Sequence, residues 1–112
     1  MNKIIFILFV FINFSLLSEV RVLDTLQNVD LIAEDRKDDQ GRKNGVNYYA
    51  HNRNNGVVYV TIDALNAKNV YENLTYSQVV VDASDKVFLG WVIQTKNEDQ
   101  SHWEVEWTVE SY

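Results

Sequence analysis

His102-Trp103-Glu104-Val105-Glu106-Trp107-Thr108-Val109-Glu110 alternates between apolar and polar side chains with a period of two. A strand sends successive side chains to opposite faces, so this pattern predicts a strand with one buried side. Trp103, Val105, Trp107 and Val109 point one way, and Glu104, Glu106, Thr108 and Glu110 the other. Two indoles on one face give that strand a large share of any core it joins.

Shorter runs of the same character extend the pattern. Residues 57–64 and 87–95 are β-branched and aromatic runs of strand length, 75–82 is a less regular one, and 29–34 opens the series. Asn55-Gly56 favours the positive φ angles of a type I′ turn, which predicts that 46–51 pairs antiparallel with 57–64. The short polar stretch 96–101 reads as a hairpin joining the last two strands, and 82–86 as a further turn. The charged stretch 35–45 reads as the most flexible loop. Residues 19–28 fit a strand or a helical turn, and 64–73 reads as a connection. No helical periodicity is sustained, so the expected fold is all-β: a small antiparallel sandwich or open barrel of about five to seven strands.

The N-terminus has a different character. Lys3 precedes an apolar run from Ile4 to Leu17, the layout of a secretory signal peptide. Asn13 and Ser15 interrupt that run short of the roughly 20 apolar residues a membrane helix needs. The expected organisation is a leader over 1–18 and one β-rich secreted domain over 19–112, with no membrane segment in the mature form. Secreted domains of this size commonly carry disulfides, yet the chain has no cysteine. That excludes thiol catalysis and cysteine-bound zinc, and it leaves stability to the core. Loss of Lys3 leaves nine basic against sixteen acidic residues, a net charge of −7. Such a charge opposes binding to nucleic acid and to anionic membranes.

Few residues suggest chemistry. Asn73-Leu74-Thr75 is an N-glycosylation sequon in a chain expected to be exported. Asn13-Phe14-Ser15 fits the same pattern but falls in the leader. Glu104, Glu106 and Glu110 are spaced for paired carboxylates or calcium, but alternating Glu is also how an exposed strand face stays soluble. His51 and His102 lack zinc-ligand spacing, and no serine, Ser77 and Ser84 included, stands in a G-x-S-x-G elbow that would join a histidine and Asp63 in a triad. Solvated strand-end histidines are the expectation. Arg36, Lys37, Arg42 and Lys43 are interleaved with acids and read as a solvated loop. The aromatics Tyr48, Tyr49, Tyr59, Tyr71, Tyr76, Trp91, Trp103 and Trp107 are expected mostly in the core, with both aromatic sheet faces covered rather than one left for binding. No catalytic, metal or cofactor residue is assigned.

From residue 29 onward the order of features resembles the insect secreted family named after multiprotein bridging factor two. Asp30-Leu31-Ile32-Ala33-Glu34 is similar to its opening stretch, and Val46-Asn47-Tyr48 to its first Val-x-Tyr strand. Asn54-Asn55-Gly56 matches its Asn-rich turn. The run from Val60 to Asn66 and the ending Val109-Glu110-Ser111-Tyr112 resemble its later strands. The chain departs from the family at 82–86, where a Gly-rich turn is usual, and at 95–101, where a basic turn is usual. The resemblance implies an arthropod product of saliva, venom or haemolymph, and it carries no catalytic residue. The functional expectation is a non-enzymatic secreted protein that binds a protein or small ligand. The alternatives are a transcriptional co-activator bridging factor, as the family name implies, and a small secreted hydrolase.

Overall fold

The computed structural model describes the backbone of residues 3–10 together with residues 20–74, 78–95 and 100–111. Among the described residues nine strands follow one another: β1 (Lys3–Val10), β2 (Val20–Leu26), β3 (Val29–Lys37), β4 (Lys43–Asn52), β5 (Val58–Lys68), β6 (Val70–Glu72), β7 (Val79–Val81), β8 (Lys86–Gln94) and β9 (His102–Ser111). They form two antiparallel sheets, ordered β1-β9-β5-β7 and β2-β3-β4-β8-β6. This is the expected all-β sandwich. Its strands outnumber the estimate because β6 forms within the stretch read as a connection, and because a strand also forms within the stretch read as a leader; of the run 75–82, Val79–Val81 is strand and 75–77 lie outside the described residues.

The alternation in β9 does what its spacing demands. Trp103, Val105, Trp107 and Val109 are fully buried, facing Val29, Leu31 and Ala33 of β3, Val46, Tyr48 and Ala50 of β4, and Val92 of β8 across one core. Val58, Val60 and Ile62 of β5, Val81 of β7, Leu89 of β8 and Leu74 complete it. Both indole N–H groups are satisfied there. Trp103 Nε1 donates to the Tyr48 hydroxyl at 2.8 Å, and Trp107 Nε1 to Asp24 Oδ2 at 3.0 Å.

Several connections differ from the sequence reading. Strand β4 pairs with β3 and β8, whereas β5 pairs with β9 and β7, so no hairpin joins β4 to β5. Asn52 is the reason. Its buried carboxamide donates to the carbonyls of Gly56, Val81 and Asp82, while its Oδ1 accepts the Asn54 N–H. These bonds carry the chain from one sheet to the other. The tight turn with two positive φ angles lies instead at Gln27-Asn28, between β2 and β3, with Leu26 opposite Val29. Likewise β8 and β9 belong to different sheets, so they do not pair as a hairpin; residues 96–99 lie outside the described residues.

The charged stretch after β3 is a tight hairpin turn over 38–42. Asp38 Oδ1 accepts the N–H groups of Gln40 and Arg42, and the bond from Arg42 is the main influence holding its carboxyl below the usual range. Residues 64–73, read as a connection, are mostly strand, because β5 continues to Lys68 and β6 follows at once. The turn at 82–86 is present, closed by a 3.1 Å bond from Asp85 N–H to the Asp82 carbonyl. Within 19–28, Val20–Leu26 form strand β2 and Gln27-Asn28 the turn that follows it.

Candidate binding face

The five-stranded sheet buries one side in the core and presents the other outward. Registers across β2, β3, β4 and β8 align its outward residues in rows. One row reads Val22, Ile32, Tyr49, Phe88 and spans roughly 14 Å at the usual inter-strand spacing. The next reads Val20, Glu34, Asn47, Trp91, and beyond it Arg36, Gly45, Ile93 and Tyr71 continue onto β6. Five large apolar or aromatic side chains stand exposed among the described residues. Four of them are on this face: Tyr71 at 67%, Val22 at 58%, Val20 at 48% and Phe88 at 47%. The fifth, Val80, is on β7.

Cations lie over the aromatic rings. The Arg36 guanidinium sits 5.6 Å from the Trp91 ring centroid, and Lys86 Nζ 4.7 Å from that of Tyr49. Tyr49 and Phe88 meet edge to face with centroids 5.5 Å apart. The Tyr49 hydroxyl donates to Glu34 Oε1 at 3.1 Å, Asn47 Nδ2 to the same oxygen at 3.2 Å, and Arg36 to Asn47 Oδ1 at 2.9 Å. Desolvation first, and the bond to Glu34 second, push the Tyr49 phenol above its ordinary pKa. A last row, Thr25, Asp30, His51 and Lys86, edges the face with ion pairs, the closest being Arg53 Nε to Asp30 Oδ2 at 3.0 Å. The result is an apolar stripe with a networked polar margin, the makeup of surfaces that dock other proteins.

The aromatics therefore divide in a way the sequence did not disclose. Tyr48, Trp103 and Trp107 are core, whereas Tyr49, Tyr59 and Trp91 are half-buried and Tyr71 is exposed; Tyr76 lies outside the described residues. The expectation that both aromatic faces would be covered fails on the five-stranded sheet. Adjacent tyrosines at 48 and 49 carried the signal, since neighbours on a strand must face opposite ways.

The remaining candidates lie apart. Glu104, Glu106 and Glu110 face outward from the other sheet, but the setting is more enclosed than a solvated surface. The Glu104 side chain is 14% exposed and accepts from Asn66 Nδ2 at 3.0 Å, and Glu110 accepts from Gln78 at 3.0 Å. Thr108 is buried and shares a hydroxyl hydrogen bond with Thr61. Glu106 stands opposite Asp63 in the register. His51 lies 3.9 Å from Asp30, and His102 4.0 Å from Glu104, on strands of different sheets. Ser84 sits in the exposed β7–β8 turn, and Ser77 lies outside the described residues. No three His, Asp or Glu residues converge on a metal-sized site among the described residues. The basic group divides too: Lys43 and Arg21 hold Asp35 at 3.2 and 2.8 Å, and Arg42 holds Asp38 at 3.3 Å.

Asn73 is exposed just after β6, and Thr75 of its sequon lies outside the described residues. Its backbone N–H donates to the Trp91 carbonyl at 3.1 Å, and its Oδ1 accepts the Trp91 N–H at 2.7 Å. Glycine is required opposite: Gly90 has φ +150°, and a Cβ there would come within 2.9 Å of Leu74 Cδ2. An open cleft of about 910 Å³ lies at one end of the sandwich, where Gln27, Asn28, Asn54, Tyr59 and Ser111 meet. Comparison with protein families, curated proteins and solved structures finds no match to this chain.

Proposed function

We propose that this chain is a non-enzymatic binding protein, released from the cell after removal of residues 1–18, that docks a protein partner through the outward face of its five-stranded sheet. One observation carries the reading: four of the five exposed large apolar or aromatic side chains among the described residues gather on that face. Singly scattered apolar residues are ordinary on a surface, whereas several sharing one sheet face, beside half-buried aromatics, suit an interaction site. A protein partner fits better than a small ligand, because the face is a broad sheet surface and not a concavity. The apolar run behind Lys3 supports export, and Asn73 is the position for a glycan in a eukaryotic host. The family resemblance adds an arthropod secreted fluid as the setting.

Full-length chain expressed in insect cells tests both parts. The expected product is in the medium, starts near Glu19, and captures a partner from the host's secreted fluid. A Val22→Asp, Phe88→Asp variant with an unchanged circular dichroism spectrum should lose the capture. Retention of the intact chain inside the cell would refute export. Equal capture by the variant would refute the face.

A further inference from the structure

The sheet edges are managed unequally. A strand edge exposes unpaired N–H and C=O groups, and folded proteins blunt it with short strands, bulges or charges. Three of the four edges here follow that rule: β6 and β7 are three residues long, and β2 shifts register between Val22 and Asp24. The fourth is different. Strand β1 covers β9 through eight consecutive pairs without a shift, from Lys3 opposite Glu110 to Val10 opposite Trp103. Beneath it β9 is ten residues long, has neither proline nor glycine, and buries two indoles. Removal of residues 1–18 takes β1 away and leaves this long regular strand as an edge.

We propose that the β9 edge of the processed protein accepts an extended segment of another protein that carries lysine or arginine at alternate positions and apolar residues between them. The proposal rests on the removal of residues 1–18 put forward above. Backbone pairing along β9 would supply affinity, as in other cases of strand addition to a sheet edge. Charge selects the occupant. Outward positions of β9 hold Glu104, Glu106 and Glu110, with Asp63 opposite Glu106 on β5. Strand β1 answers one of these acids, with Lys3 opposite Glu110, and sets the apolar Ile7 and Phe9 opposite Glu106 and Glu104. A second copy fits poorly: centring two β9 strands on Glu106 sets that carboxylate against its own copy, and like charges directly opposite are destabilising.

The test uses processed protein from insect-cell medium, with its N-terminus read by mass spectrometry. The probe is a capped eight-residue peptide of alternating lysine and valine, titrated calorimetrically beside a version with glutamate for lysine. The expected result is one-to-one binding of the lysine peptide, weakened by salt, with β9 amides newly protected from hydrogen exchange. The glutamate peptide should bind about tenfold more weakly, the scale of two or three cross-strand charge pairs. Glu106→Lys should narrow or reverse that preference. A processed monomer that leaves the lysine peptide unbound, or binds both peptides equally, overturns the proposal. A processed dimer in sedimentation overturns it in favour of a second copy. A product that retains Lys3 overturns the leader reading on which it stands.

Discussion

At the scale of single residues, the core depends on two tryptophans whose polar atoms are both answered. Trp107 fills the centre of β9 and donates its N–H to Asp24, across the sandwich on β2. Trp107→Ala removes the ring and opens a cavity, so a denaturant titration is expected to show a loss of about 3–5 kcal/mol. Stability of a domain this size is only about 5–15 kcal/mol, so the variant stands near the limit of folding. Trp103 donates to Tyr48, whose phenol burial pushes far above its ordinary pKa, outweighing the opposing bond from Trp103. The unfolded phenol titrates near about 10, so the folded state keeps a proton that the unfolded chain gives up. This contribution to stability is intact below about pH 10 and is lost as pH rises towards the folded value. Tyr48→Phe should therefore flatten the alkaline limb of a stability-against-pH curve measured by thermal melting. An alkaline limb unchanged by the substitution would contradict the burial of an ionisable phenol there.

Elements depend on which strand lies beside which, and here sequence and structure part. The period-two pattern over 102–110 was legible because alternation reports directly on one buried face. Strand partners were not, because Asn55-Gly56 carries a turn signal without saying which sheet the chain enters next. That choice is made by Asn52, whose carboxamide binds carbonyls as far away in sequence as Val81 and Asp82. Asn52→Ala is expected to cost about 3 kcal/mol in a denaturant titration, since it strands buried polar groups of the crossing. A change below about 0.5 kcal/mol, typical of an exposed site, would contradict that role. The outward face of the five-stranded sheet was partly legible in the same way. Tyr48-Tyr49 had to split between faces, but the gathering of Val22, Tyr49 and Phe88 in one row depends on registers set by β3 and by the bulge opposite Tyr48/Tyr49. On the other sheet, Glu106 lies opposite Asp63 and not on a neutral surface. Glu106→Gln should therefore stabilise the domain by up to about 1 kcal/mol, measured by chemical denaturation. A destabilisation would show that the carboxylate makes a favourable contact.

The whole molecule has two unlike outer faces around one core. One carries aligned acids on β9 and β5, and the other carries the apolar row crossed by Arg36 and Lys86. The full chain carries a net charge of −6, which opposes association of one copy with another. Hydroxyl-radical footprinting of protein recovered from insect-cell medium, free and in its captured complex, tests the proposed face most directly. In the free protein Tyr71 and Phe88 should oxidise readily, while Tyr48, buried on the interior strand β4, stays unmodified. In the complex Tyr71 and Phe88 should be protected and Val80, on the other sheet, should react as before. Unchanged oxidation of Tyr71 and Phe88 in the complex would contradict the assignment of the five-stranded sheet as the binding face.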